Sequence, residues 1–149
     1  MEKIREIVRI KQEVKRGVSK FDTTKINSPQ DAVKLVTQVI GDEDREVLLV
    51  LVLNTKNQVN AIHRCHIGSI NASIVHPREV MKAAILNNGA SIIIAHNHPS
   101  YDTLESEQDK EVSRRIKEAG KILGIELLDS LIVSNDEGNY TSLKEKGYI

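Results

Sequence analysis

Aromatic residues are scarce in this chain of 149 residues, which has one phenylalanine, three tyrosines and no tryptophan. The chain therefore offers few of the aromatic faces on which single-stranded nucleic acids stack their bases. Lysine and arginine together number 21, as do aspartate and glutamate, so the net charge is zero and no overall field attracts the protein to nucleic acid or to a membrane. DNA is thus a weakly supported partner.

Cysteine and long apolar runs are equally scarce. The single cysteine, Cys65, cannot form an internal disulfide, which favours a reducing compartment. The longest apolar run, Val47–Leu53, is much shorter than the roughly 20 residues that span a bilayer, and the charged N-terminus lacks the apolar segment of a signal peptide. We therefore expect a cytoplasmic protein with no membrane partner, and 149 residues suit one folded domain.

The first 27 residues are locally basic, because residues 1–25 contain eight lysines and arginines but four acidic residues. Their apolar residues are spaced as on one side of a helix that would end near Gly17: Ile4, Ile7, Val8, Ile10 and Val14. We divide the chain into this basic N-terminal helix with its connector, residues 1–27, and one domain, residues 28–149. A helix that docks on the domain is favoured over an arm that binds nucleic acid, and it would permit a homodimer.

The domain alternates helical and strand patterns. Ser28, Pro29 and Asp31 form a strong helix start, with a cap, a first-turn proline and a capping-box acid. Val47–Leu53 has no polar alternation, which predicts a central strand covered on both faces. Further strands are predicted at residues 58–67, 91–95, 125–134 and 139–142, and further helices at residues 77–87 and 105–123. This order predicts a single α/β domain.

Residues 92–109 carry the strongest chemical signal in the chain. They read IIIAHNHPSYDTLESEQD, so that His96 and His98 directly follow a short strand. Residues two apart in a strand point to the same face, and both imidazoles can therefore face one ion. Asp109 lies in the first turn of the next helix. Two imidazoles and one carboxylate form the open three-ligand set of a catalytic zinc ion.

Each part of this pattern also has a purely structural explanation. An isolated His-x-His at a strand end is more often incidental than metal-binding. Ser106 and Asp109 form a capping box, in which each side chain hydrogen bonds to the other residue's backbone at the start of a helix. The metal hypothesis therefore depends on the joint occurrence of all three side chains, which chance rarely produces.

The same motif resembles a known family. His96-Asn97-His98-Pro99, followed by Ser106-Glu107-Gln108-Asp109, matches the His-x-His-Pro and Ser-x-x-Asp signature of the JAMM (MPN-plus) metal-dependent hydrolases. From residue 28 onward the chain is most similar to the bacterial RadC family, and residues 53–57, 67–71 and 75–80 carry the same resemblance. The chain departs from the family at Tyr101, where a glycine is usual.

This resemblance implies a fold, a metal and a reaction. The fold would be a JAMM/MPN-like mixed β-sheet flanked by helices, with cytidine-deaminase-like architecture, whereas the Pro-Cys-x-x-Cys signature of the zinc deaminases is absent. His96, His98 and Asp109 would bind Zn²⁺, and Ser106 would stabilise an oxyanion. The expected enzyme is a zinc metallopeptidase that cleaves an amide or isopeptide bond of a peptide substrate by means of a metal-bound water.

The resemblance leaves the general base open. The strand position at which the family usually carries its catalytic glutamate is His63 in this chain. His63 alternates with Ala61 and Cys65 along its strand, so it is either a buried core histidine or the base, and Glu79 is the alternative base. If His63 instead binds zinc as a fourth ligand, the site is closed and structural. Cys65 is better explained as a packed thiol than as a ligand.

Two other functions are consistent with the same residues. One is a non-catalytic metal-binding or DNA-binding accessory module associated with DNA repair, as the resemblance to RadC-like proteins suggests. The other is a metal-dependent nuclease. Many RadC-like proteins also carry a helical N-terminal DNA-binding module, for which this chain is too short.

Overall fold

The computed structural model describes residues 3–15 and 25–149, and three helices and five strands follow one another within them. In chain order they are α1 (Pro29–Ile40), β1 (Val47–Leu53), β2 (Val59–Ile67), α2 (Pro77–Leu86), β3 (Ser91–Asn97), α3 (Glu107–Leu123), β4 (Glu126–Val133) and β5 (Tyr140–Ser142). Each of these elements was predicted, with ends no more than two residues away. None of the described helices is long and apolar enough to cross a membrane.

The five strands form one mixed sheet in the order β2-β1-β3-β4-β5. β1 is antiparallel to both β2 and β3, β3 is parallel to β4, and β4 is antiparallel to β5. Because β1 and β3 run in opposite directions, the start of β1 lies beside the end of β3, where Leu48 is paired with His96. The predicted α/β domain, with a mixed sheet flanked by helices, is confirmed.

Helices cover both faces of this sheet. On one face, Val33, Val36 and Ile40 of α1 pack in a cluster with alternate residues of β1. On the other face, α2 and α3 contribute Met81 and Ile116 to a second cluster with the remaining residues of β1. All seven residues of β1 are consequently buried, as a strand without polar alternation predicts.

The start of α3 is held by its own side chains. Ser106 Oγ accepts a hydrogen bond from the backbone N–H of Asp109, and the Asp109 carboxylate accepts one from the backbone N–H of Ser106. The predicted capping box is therefore present. The helix ends at Gly124, whose φ of 72° is a left-handed conformation that suits glycine.

The predicted N-terminal helix is not formed over residues 3–15, which contain no regular secondary structure. The rest of its predicted length lies outside the described residues. Its apolar side chains are between 63% and 100% exposed, so they are not buried against the domain. Since a short helix is marginal in water without such packing, the apolar spacing alone was insufficient to predict one. The segment contacts the domain through paired side-chain amides of Gln12 and Asn87.

Candidate metal centre

The end of β3 places two imidazoles on one face of the sheet. The backbone N–H of His98 donates to Val133 O at 3.3 Å, so the extended conformation continues through His98. In extended backbone His96 and His98 point to one face and Asn97 to the other. The two ring centroids lie 5.0 Å apart. His96 is buried, and the His98 side chain is 16% exposed.

The first turn of α3 brings Asp109 to the same two imidazoles. Asp109 Oδ1 lies 3.1 Å from His96 Nε2, and Asp109 Oδ2 lies 3.4 Å from His98 Nε2. The two Nε2 atoms are 3.1 Å apart. Donor atoms bound about 2.0–2.1 Å from one tetrahedral zinc ion would lie about 3.3 Å apart, so this spacing fits a single ion. Among the described residues, these three form the one group of His, Cys, Asp or Glu side chains arranged to hold a metal.

A backbone carbonyl orients the His98 ring. His98 Nδ1 lies 2.7 Å from Asp102 O, and because a carbonyl oxygen only accepts, Nδ1 carries the hydrogen. The lone pair of a neutral imidazole is then on Nε2, which faces Asp109. Metal-binding histidines are commonly held in this way, with the distal ring nitrogen donating to a carbonyl or carboxylate.

The loop that supplies this carbonyl contains Tyr101, the position at which the family usually has a glycine. Tyr101 has a φ of 64°, a left-handed conformation that glycine adopts without strain and tyrosine rarely adopts. Asn139, which directly precedes β5, donates from Nδ2 to Tyr101 O at 2.8 Å and accepts from Thr103 Oγ1 at 2.9 Å. The β4–β5 hairpin thus holds the loop despite its unfavourable residue.

The electrostatics of the three side chains are those of a preformed site. Burial alone would raise the pKa of the Asp109 carboxyl, but its hydrogen bonds with His96 and His98 outweigh burial and hold this pKa well below its ordinary value. The hydrogen bond to Asp109 raises the pKa of His98, and the charge of Glu46 acts in the same direction. The carboxylate therefore stays ionised, as metal binding requires.

Two of the three side chains, His98 and Asp109, line an open cleft of about 770 Å³, and His96 is buried beside them. His98, Ser106 and Asp109 are among the residues that line it, as are Glu46 and Ile70. The backbone N–H of Ile70 donates to Glu46 Oε2 at 3.1 Å, which directs the carboxylate of Glu46 along this wall. Ser106 takes part in both the helix cap and the cleft, so the structural and functional explanations of this residue are compatible.

Sequence reasoning missed Glu46. This residue directly precedes β1, and antiparallel pairing of β1 with β3 carries it to the end of β3 where the histidines lie. The available signal was an acidic residue at the start of the central strand. That signal becomes informative only when the pairing of β1 with the histidine strand is known.

His63 lies outside the group. His63 of β2 is paired with Val50 of β1, and His96 of β3 is paired with Leu48 of β1. Strand β1 therefore lies between the two strands that carry these histidines. His63 is not among the cleft-lining residues, and its Nδ1 is buried with no hydrogen-bond partner among the described residues. The prediction that it is a base or a fourth ligand remains a prediction that the geometry does not support.

The other two candidates from the sequence also lie elsewhere. Both oxygens of Glu79 accept from Lys82 Nζ at 3.0 Å, and Glu79 is not among the residues that line the cleft. Cys65 packs against the cluster under α2 and α3, and burial raises the pKa of its thiol to about 11. A neutral, packed thiol agrees with the preferred structural explanation of Cys65.

Comparison with known proteins adds a family to this geometry. A family model described as the RadC-like JAB domain matches residues 26–148. A UPF0758 protein of Clostridium tetani (strain Massachusetts / E88) is 51% identical over 131 residues, which are 88% of this chain and 57% of that protein. A UPF0758 protein of Geobacillus sp. (strain WCH70) is 52% identical over 126 residues, which are 83% of this chain and 54% of that protein. The chain thus spans about half the length of the curated relatives it matches.

Proposed function

Because this chain belongs to the RadC-like JAB domain family, we propose that it is a zinc-dependent hydrolase that cleaves an amide or isopeptide bond of a peptide substrate. The observation that carries this proposal is the convergence of His96, His98 and Asp109, two of which, His98 and Asp109, line an open cleft. Closed structural zinc sites have four protein ligands, whereas catalytic sites have three and leave a position for water. Three ligands beside a cleft favour catalysis.

The ligand set favours zinc as the metal. Two imidazole nitrogens and one carboxylate oxygen are typical of catalytic zinc, and magnesium or calcium sites use oxygen ligands almost exclusively. Held by these three residues, the ion would act as a Lewis acid and would lower the pKa of a water molecule to about 7. The chain itself must then remove a proton from that water and stabilise the developing negative charge.

Glu46 is the best placed general base. Glu46 lines the same cleft as His98 and Asp109. One of its oxygens is held by Ile70 N–H, which gives the carboxylate a defined orientation. Glu46 would accept a proton from the attacking water and then deliver it to the leaving amine.

In this proposal Ser106 would stabilise the oxyanion. Its Oγ accepts a hydrogen bond from Asp109 N at 3.1 Å, and this contact uses a lone pair of the hydroxyl rather than its hydrogen. The hydroxyl hydrogen remains to be donated to an oxygen in the cleft. A donor in this position stabilises the negative charge that forms when water adds to a substrate carbonyl.

The charges of the cleft favour a peptide over a nucleic acid. Glu46, Glu107 and Asp109 line it together with a single arginine, Arg45. Such a lining would repel a phosphate backbone, whereas nucleic-acid interfaces are rich in lysine and arginine. An uncharged amide group has no such penalty.

The first test is zinc content per chain, measured by mass spectrometry on protein purified without chelator. We expect about one zinc in the wild type and less than about 0.1 in His96→Ala. Wild-type protein that neither carries nor takes up zinc would contradict the proposal. The zinc-loaded protein is then screened against fluorogenic peptides and isopeptide-linked peptides, with and without chelator.

Matched variants then test the base. Glu46→Gln should retain zinc and lose turnover by about 10²-fold to 10⁴-fold, the usual contribution of a general base. His63→Ala and Glu79→Gln are the controls and should stay within about threefold of the wild type. If His63→Ala retains zinc and loses turnover while Glu46→Gln remains active, His63 is the base and the assignment of Glu46 is wrong.

A further inference from the structure

Asn97 lies between the two histidines of the candidate metal centre, and its side chain points to the opposite face of β3. It is 1% exposed. Its Oδ1 accepts from Val47 N–H at 2.8 Å, and its Nδ2 donates to Arg45 O at 3.0 Å and to Glu43 O at 3.3 Å. The orientation of this amide is unambiguous, because an N–H requires an acceptor and two carbonyls require a donor.

These contacts surround Glu46 in sequence. Arg45 O belongs to the peptide unit immediately before Glu46, and Val47 N belongs to the peptide unit immediately after it. The pairing of β1 with β3 ends at Leu48 and His96, so residues 43–47 lie beyond the ladder. Asn97 replaces the missing ladder contacts and clamps both peptide units of Glu46 to β3.

We propose that Asn97 is a positioning residue for the general base, because one buried amide fixes Glu46 relative to the strand that carries two metal ligands. This inference rests on the proposed function. The backbone of Glu46 is also held by Gly68 N–H, which donates to Glu46 O at 2.8 Å. That contact connects Glu46 to the loop after β2, whereas the Asn97 side chain connects the peptide units on either side of Glu46 to the strand of His96.

An Asn97 that only stabilised the fold would make the same hydrogen bonds. The test must therefore measure proton acceptance by Glu46 as well as the stability of the protein. Acetohydroxamic acid is a suitable probe on cobalt-loaded protein. When it chelates the ion, its hydroxyl O–H bond breaks and the proton passes to a nearby carboxylate, here Glu46. The visible spectrum of bound Co²⁺ reports metal binding and hydroxamate binding in separate titrations.

The variants are Asn97→Ala, Asn97→Ser, Glu46→Gln and the double variant Asn97→Ala/Glu46→Gln. We expect cobalt affinity within about threefold of the wild type in all four, and hydroxamate affinity at least about tenfold weaker in Asn97→Ala and Glu46→Gln. The double variant should bind hydroxamate no more weakly than Glu46→Gln alone, because both substitutions remove the same function. Asn97→Ser retains a single hydroxyl and should be intermediate.

Asn54 provides a matched control at the opposite end of β1. Its Oδ1 accepts from the backbone N–H groups of Lys56 and Gln58 at 2.9 and 3.0 Å, so it too holds backbone next to this strand. Asn54→Ala should lose stability without any change in hydroxamate affinity.

The outcomes separate the two hypotheses. Wild-type protein that takes up no cobalt overturns the proposed function and this inference together. Wild-type protein that binds cobalt and hydroxamate, with unchanged hydroxamate affinity in Asn97→Ala or additive losses in the double variant, overturns the role of Asn97 alone. A loss of cobalt affinity in Asn97→Ala would assign the residue to the ligands, and unfolding of both Asn97 variants would assign it to the fold; either overturns the inference.

Discussion

Two buried aspartates in this domain have opposite properties. Asp109 and Asp129 are 4% and 5% exposed. Asp109 contacts two imidazoles at the cleft, and the pKa of its carboxyl is lowered despite burial. Asp129 lies within β4, and burial raises the pKa of its carboxyl although hydroxyl and backbone donors partly oppose the rise.

The difference lies in the partners. Asp129 accepts from Ser130 N at 2.7 Å, Ser142 Oγ at 2.7 Å and Lys144 N at 3.3 Å, all within or directly after the β4–β5 hairpin. These neutral donors close the site and serve the fold. Asp109 instead shares its carboxylate between a helix cap and the two imidazoles of the candidate metal centre. Burial of an acid therefore does not indicate function; the chemistry of its partners and an open face do.

Loss of metal is the largest effect that should separate the two aspartates. Asp109→Asn should weaken zinc binding roughly 1,000-fold, because structural zinc binds with about 10–16 kcal/mol and one of three ligands is removed. Asp129→Asn should bind zinc like the wild type. Competition with a chromophoric chelator measures both affinities. Equal losses in the two variants would show that zinc depends on the fold as a whole.

The free energy of unfolding should depend more strongly on Asp129 than on Asp109. Asp129→Ala leaves the donors of Ser130, Ser142 and Lys144 without their acceptor and should lower the free energy of unfolding by about 2–4 kcal/mol. Urea unfolding of metal-free protein gives this value. Zinc stoichiometry measured on the folded variant is the control. A loss below about 0.5 kcal/mol would mean that the Asp129 contacts contribute little.

The two carboxylates should also respond to pH with opposite signs in metal-free protein. Asp129 has a raised folded-state pKa, so its contribution is present at low pH and is lost as pH rises through that pKa. Asp109 has a lowered folded-state pKa, so its contribution is present above the ordinary carboxyl pKa and is lost as pH falls toward the folded value.

Urea unfolding with chelator at a series of pH values tests these signs. From about pH 3 to about pH 6, the unfolding free energy of the wild type minus that of Asp129→Asn should fall. The same difference with Asp109→Asn should rise. Slopes of one sign for both variants would contradict the contrast between the two sites.

Cys65 should give the smallest effect and extends the comparison from the two carboxylates to a partly buried thiol. Burial raises the pKa of this thiol to about 11. Its thiolate is therefore rare, and alkylation by iodoacetamide at pH 8 should be at least about tenfold slower than in urea-unfolded protein. Equal rates would show that the thiol is open to solvent in the folded state.

Much of the fold was readable from local patterns. Ser28, Pro29 and the Ser106–Asp109 box predicted two helix starts, and the unbroken apolar run of β1 predicted a central strand. The N-terminal helix failed because apolar spacing specifies a helix only where a surface buries it. The apolar side chains of residues 3–15 are exposed rather than buried against the domain.

The candidate metal ligands were equally readable, because each follows from a short spacing. His98 follows His96 by two positions, and the capping box places Asp109 at the start of α3. The candidate base could not be predicted in this way, because Glu46 and His98 are 52 residues apart in the chain. Only the antiparallel pairing of β1 with β3 brings them to one cleft.

The sequence by itself thus determined the helices and strands of the domain, the mixed α/β class and the three residues that can bind a metal. These features depend on periodicity, capping and spacing within a few residues of one another. Tertiary structure alone decided which acid shares the cleft with His98 and Asp109, what holds that acid in place, and which buried aspartate has only neutral donors around it. Those depend on strand register and on contacts across the sheet, which local sequence does not encode.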